Sequence, residues 1–212
     1  MYRILILITM ISFIYVLFLY LTKNKQDLSG WKKFFRLKEL IAHCSRINSK
    51  GEKTSENYNL YDWIFCGSFL LTILSFILLA VSGFLPVLFT GQHLGGILLV
   101  IHVTIAPVFV LSITVSVLLM VHKMRFNYHD WETFKNRSVK TWDDAKTILF
   151  SKINFWIAFI MIISAILAII LMMFPFFGTY GQEQLLGIHR YSTLILFLLF
   201  QHQIYIIAKK EN

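Results

Sequence analysis

Histidine is the residue type best placed to do chemistry in this chain of 212 residues, which carries seven of them. His102, His189 and His202 stand inside long apolar stretches, and His122 closes one. An ionisable side chain at membrane depth is costly and marks a candidate functional site. Imidazole is a common axial ligand of haem iron, and histidines on facing helices of a bundle can bind iron from opposite sides. The other ring nitrogen of each ligand then needs a carbonyl or hydroxyl partner. A histidine without a cofactor would serve instead as a hydrogen-bonding link between helices or as a proton carrier. His93 in an outer turn, and His43 and His129 in basic loops, have no special claim.

The elements that must position these side chains follow from where charge is missing. Charged residues make up only 15% of the chain, against about 25% in a soluble domain. No Asp, Glu, Lys or Arg occurs in the 60 residues from Trp63 to His122. Further charge-free runs cover Ile4–Thr22, Ile153–Gln182 and Tyr191–Ala208. Apolar stretches of roughly 18 or more residues are long enough to cross a bilayer, so a soluble enzyme is excluded. The pattern predicts spans at Ile4–Thr22, Trp63–Phe84, Gly95–Val121, Phe155–Met173 and Leu185–Ala208. The expected fold is an all-α integral membrane protein: a four-helix haem-binding transmembrane bundle with one extra N-terminal transmembrane helix. In these terms residues 1–22 are an anchor, 23–61 a basic loop, 62–208 the four-span core and 209–212 a tail.

The net charge of +9 raises the question of nucleic acid, but its distribution points elsewhere. Nine of the 20 basic residues lie between Lys23 and Lys53, seven between Lys123 and Lys152, and Lys209 and Lys210 close the chain. Basic loops at alternate connections face the cytoplasm, which puts the C-terminus inside and, with five spans, the N-terminus outside. Such a face also suits anionic lipid. A cleaved leader is disfavoured because the strongest positive cluster follows the first apolar run rather than preceding it. Within the loops, Trp31–Ile47 and Trp142–Lys152 have amphipathic spacing suited to the membrane interface.

With a rise of roughly 1.5 Å per residue, His102 and His189 sit about 10 Å and 6 Å below the outer surface. Their spans run in the same direction, so both can present a ligand near the outer leaflet. Gly95, Gly96 and Gly187 leave room for a flat porphyrin on those helices. Arg190, at the outer margin, is either a partner for haem propionates or an interfacial anchor.

Four words carry a resemblance. They are Gly95-Gly96-Ile97-Leu98-Leu99-Val100-Ile101-His102, running on through Pro107; Phe174-Pro175-Phe176-Phe177-Gly178-Thr179; Leu186-Gly187-Ile188-His189-Arg190-Tyr191-Ser192; and His202-Gln203-Ile204-Tyr205. In this order the stretch from Tyr61 to Ile207 resembles the di-haem cytochrome b membrane subunits of formate dehydrogenases, nickel–iron hydrogenases and thiosulfate reductases. It is similar also to cytochrome b/b6-domain proteins that accompany multihaem cytochromes c. The resemblance implies two b haems stacked across a bacterial cytoplasmic membrane and a quinone as mobile redox partner. It also implies a hetero-oligomeric complex with a multihaem cytochrome c or an iron–sulfur/molybdenum subunit. On it, His102 and His189 take the outer-haem positions and His202 an inner one.

The chain departs from that pattern at the inner haem, where Cys66 stands at about the place of the family's first-span histidine. His122 is the available substitute. Thirteen residues separate His189 from His202, which turns the second about 140° from the first unless a π-bulge intervenes. Twenty separate His102 from His122, a longer drop that calls for tilt or a break, and Pro107 is a place for one. Cys44 and Cys66 permit no disulfide framework, and no haem-attachment CxxCH, phosphate loop, nucleophile triad or carboxylate dyad is present. Met172 and Met173 read as packing, and Asp143 and Asp144 as solvated. The contrasting reading is a cofactor-free transporter or assembly subunit.

Overall fold

The computed structural model describes residues 2–23, 60–89, 91, 94–135 and 144–210. Every regular element among them is helical. In chain order these are α1 (Tyr2–Lys23), α2 (Leu60–Phe89), α3 (Gly96–Met120), α4 (Tyr128–Lys135), α5 (Asp144–Met172), a 3₁₀ turn (Pro175–Phe177) and α6 (Gly178–Lys210). The helices α2 and α3, and α5 from Lys146, are long and apolar enough to cross a membrane. α1 and α6 form helices where the first and fifth spans are expected. The segment Trp31–Ile47 lies outside the described residues. The other expected interface segment is not separate: from Asp144 onward it forms the first turns of α5. Neither Pro nor Gly stands between it and the apolar run, so nothing stops the helix.

The chain divides into two compact units, one made of Met1–Tyr20 with Met124–Asn212, the other of Leu21–Lys123. In the second unit α2 and α3 pack antiparallel. Tyr61 Oη donates to the Leu119 carbonyl at 3.0 Å, Phe76 meets Phe109, and Ser82 meets His102, in that order along the pair. Where leucine might be expected, their seam is small and polar. Thr72, Ser75, Ser112 and Ser116 are buried, and the Ser116 hydroxyl lies 3.3 Å from that of Thr72 and 3.2 Å from that of Ser68. In lipid, apolar side chains gain nothing by leaving their solvent, so small residues that let backbones approach and hydroxyls that bond across are what hold helices together. Each hydroxyl has one proton, and the Ser112 and Ser68 carbonyls of their own helices offer Ser116 and Thr72 an alternative acceptor to the cross-helix hydroxyl.

In the first unit α5 and α6 pack antiparallel in the same manner. Asn154 Nδ2 donates to the Leu199 carbonyl and to Gln203 Oε1, both at 3.1 Å, and Ser192 bonds Ser164 further along. The Leu199 and Gln203 bonds use both protons of the Asn154 amide and fix its orientation. Its Oδ1 is buried and has no donor among the described residues. α1 lies along α6 and runs in the same direction. Tyr2 Oη donates to the Arg190 carbonyl at 3.1 Å, Phe13 packs on Phe197, and Gln201 Nε2 donates to the Thr9 carbonyl at 2.9 Å.

Candidate functional site

His102 is six residues beyond the first residue of α3, itself a glycine with φ of +61°, a conformation open to Gly at little cost. The imidazole is half-buried, and its Nδ1 lies 2.9 Å from Ser82 Oγ on α2. Ser82 Oγ also donates to the Leu79 carbonyl at 3.2 Å. A serine has one proton. Both contacts hold at once only when that proton goes to Leu79 and a lone pair faces His102, which places the imidazole proton on Nδ1. In that tautomer the Nε2 lone pair is the one a metal would use. Pro86 lacks the N–H that would bond the Ser82 carbonyl, and Pro107 likewise spares the Val103 carbonyl. Both helices therefore lose one rung of their ladders close to the Ser82–His102 contact.

Gly83 brings the α2 backbone against the same ring. A Cβ built on it would stand 3.4 Å from His102 Cε1. An alanine there would just touch the imidazole, and a longer side chain would take its place.

His189 is positioned by different means toward the same end. It is half-buried on α6, and its Nδ1 lies 3.1 Å from the Ala165 carbonyl on α5. A carbonyl only accepts, so Nδ1 is the donor and Nε2 again carries the lone pair. Ala165 is buried, and its small side chain lets the ring reach the α5 backbone. Gly187 precedes His189 by two positions, and a Cβ built there would meet nothing within 4 Å. The room that Gly187 was expected to leave is therefore present on this helix; Gly96 is likewise open.

Arg190 engages α1. Its guanidinium carbon lies 6.0 Å from the Tyr2 ring centroid, and Tyr2 meets Tyr191 edge to face. Cation–π attraction of this kind is worth about 0.5–1 kcal/mol at an exposed site and more when desolvated. His122 and His202 are exposed, and no hydrogen bond to either ring is found among the described residues. α6 is a regular α-helix through this stretch, without a π-bulge. His202 therefore stays about 140° around the axis from His189. α3 is helical across Pro107 and ends before His122, which lies in the following turn. His43 and His93 lie outside the described residues.

Among those residues no group of three or more His, Cys, Asp or Glu converges on one point. An axial ligand site does not need one, because a porphyrin brings its own four nitrogens. The feature that sequence reading passed over is Ser82. It belongs to a row at 68, 72, 75 and 82 whose spacing of four, three and seven is that of one helix face, and that spacing was the available signal. Compared with known protein families, with curated proteins and with solved structures, the chain matches none.

Proposed function

We propose that this chain is a b-type cytochrome subunit of a bacterial cytoplasmic membrane, passing electrons between quinone and a partner redox protein. The observation that carries the reading is the oxygen that each of His102 and His189 finds for its Nδ1. Two histidines at span depth each set Nδ1 against an oxygen on the neighbouring helix, which makes Nε2 the basic nitrogen of the ring. That is the partner arrangement axial histidines need, since it fixes ring orientation and raises the basicity of the bound nitrogen. The open space at Gly187 leaves room for a flat ring beside His189, while Gly83 lets the α2 backbone lie against the His102 imidazole. Haem b, when bound, supplies a one-electron couple whose potential the surroundings tune. The chain's own part is to hold the two imidazoles rigidly and to surround them with apolar helix, excluding water.

The five-span topology with the N-terminus outside belongs to the same proposal. It is supported by the shared direction of α1 and α6, since first and fifth spans must run alike. For an inner haem, His202 is proposed on the resemblance alone, and His122 as the substitute where the chain departs from it. The redox partner, a multihaem cytochrome c or an iron–sulfur/molybdenum subunit, comes from the same source. Purified protein should be red, with a reduced α-band of b type and about two haems per chain by pyridine haemochrome. One haem would retain the pair of His102 and His189 and reject the inner one. A second reading has an observation in its favour, because the bonds from His102 to α2 and from His189 to α5 are also good helix glue. A folded but colourless protein that takes up no added haem would establish that cofactor-free reading and end the cytochrome one.

A further inference from the structure

The short helix α4 lies outside the predicted spans, yet it displays aromatic rings to the surroundings. Tyr128 is 79% exposed, Trp131 64% and Phe134 66%, on a helix of eight residues. Phe126 adds a fourth ring, 6.4 Å from Trp131, and Trp131 stands edge to face with Phe134 at the same separation. Water alone gives no reason to hold so much aromatic surface in one patch.

The helix is held in place by contacts from its inner side. Asp130 Oδ2 accepts from the backbone N–H of Asn127 at 2.6 Å, the reach-back half of a capping box. The same oxygen accepts from Lys152 Nζ at 2.6 Å, and this ion pair, with α5, is buried. Just beyond, Trp156 Nε1 donates to the Met124 carbonyl at 3.0 Å. α4 is thus clamped to the first turns of α5, immediately before the run from Phe155 that would enter the hydrocarbon. Its height relative to a bilayer is set by that clamp. Arg125 and Lys135 flank the rings and are exposed. Between Lys123 and Lys152 there are seven basic residues against four acidic ones. Amphipathic aromatic rings at the level of a span's end, bordered by cations, match the chemistry of a headgroup layer.

We propose that the Phe126, Tyr128, Trp131 and Phe134 face of α4 lies in the headgroup layer of an anionic membrane, with Arg125 and Lys135 against lipid phosphates. The occupant is lipid, and the buried Asp130–Lys152 pair is the strut that sets the helix at that depth.

The test uses the full chain reconstituted in vesicles of phosphatidylcholine with or without phosphatidylglycerol. The Trp131 signal is the difference between wild-type fluorescence and that of Trp131→Phe, a change that keeps an exposed ring. Lipids brominated near the headgroup should quench that difference several-fold more than aqueous acrylamide does, and more than lipids brominated near the chain end. Quenching should rise with phosphatidylglycerol, and the double change Arg125→Gln/Lys135→Gln should abolish that rise. Strong acrylamide quenching with none from bromolipid would overturn the proposal. Protection from both quenchers would overturn it too, since protein would then cover the face. Quenching indifferent to phosphatidylglycerol would refute the assignment to anionic headgroups.

Discussion

Replacing Ser82 with alanine separates a prepared haem ligand from a histidine that merely joins helices. The change deletes the oxygen that takes the His102 Nδ1 proton at 2.9 Å, in a position only 4% exposed. Little water can replace it, so Nδ1 loses that oxygen outright. Hydrogen bonds between membrane helices average about 0.6 kcal/mol and reach about 1.7. Outer partners of metal-bound histidines cost about 10–100-fold in metal affinity when removed. Burial argues for the upper part of the first range, and about 1.4 kcal/mol is tenfold in a binding constant. Haem titrated into the apoprotein should therefore bind roughly tenfold more weakly at this ligand, with an altered reduced α-band. Ser82→Thr keeps the hydroxyl and should restore most of the affinity. Ser75→Ala removes another buried hydroxyl of α2, one that donates only within its own helix, and should leave the titration unchanged. Equal haem affinity and identical spectra for wild type and Ser82→Ala would refute the tautomer reasoning for His102.

Three further changes bear on the same architecture. On the proposed pairing, either His102→Ala or His189→Ala should remove the same haem signal, read by low-temperature reduced-minus-oxidised spectra; two chains with unaltered spectra would reject both assignments. Gly83→Leu should displace the imidazole and lower haem content sharply while Gly83→Ala keeps it, because a Cβ alone only reaches contact at 3.4 Å. Lys152→Met leaves the Asp130 carboxylate buried without its cation, and removing one partner of such a pair costs about 3–5 kcal/mol. Limited proteolysis should then cut near α4 far faster, and adding Asp130→Asn should recover part of the loss.

What could be read directly from the residues was the polar punctuation of an apolar chain. His102 and His189 stood out because nothing else near them can ionise or ligate, save Arg190 beside the second. Their partners were harder, for two different reasons. Ser82 is a side chain on another helix, and only its membership of the row at 68, 72, 75 and 82 hinted at a shared face. The Ala165 carbonyl is backbone, which every residue has, so no residue type announces it. The helix α4 was missed because eight residues hold barely two turns, too few for a period to emerge. Its inward residue, Asp130, is buried only because Lys152 on α5 pairs with it, 22 positions along the chain. The Trp142–Lys152 segment was read as a separate helix because a change in polarity resembles a boundary, yet polarity alone does not stop a helix.

The alignment of α1 with α6 has a consequence for how the protein is made. The bonds from Tyr2 to Arg190 and from Gln201 to Thr9 join residues 188 and 192 positions apart. Helices α2 and α3 are neighbours in sequence and can pair as soon as they leave the ribosome. The helix α1 has no such option within its unit. Its partner α6 follows α2 to α5 in sequence, so α1 must wait for these contacts while the intervening helices are made. Early insertion therefore need not mean early assembly. A chain truncated before α6 would leave α1 without its dock, exposing the Thr9 side as a handle for quality control.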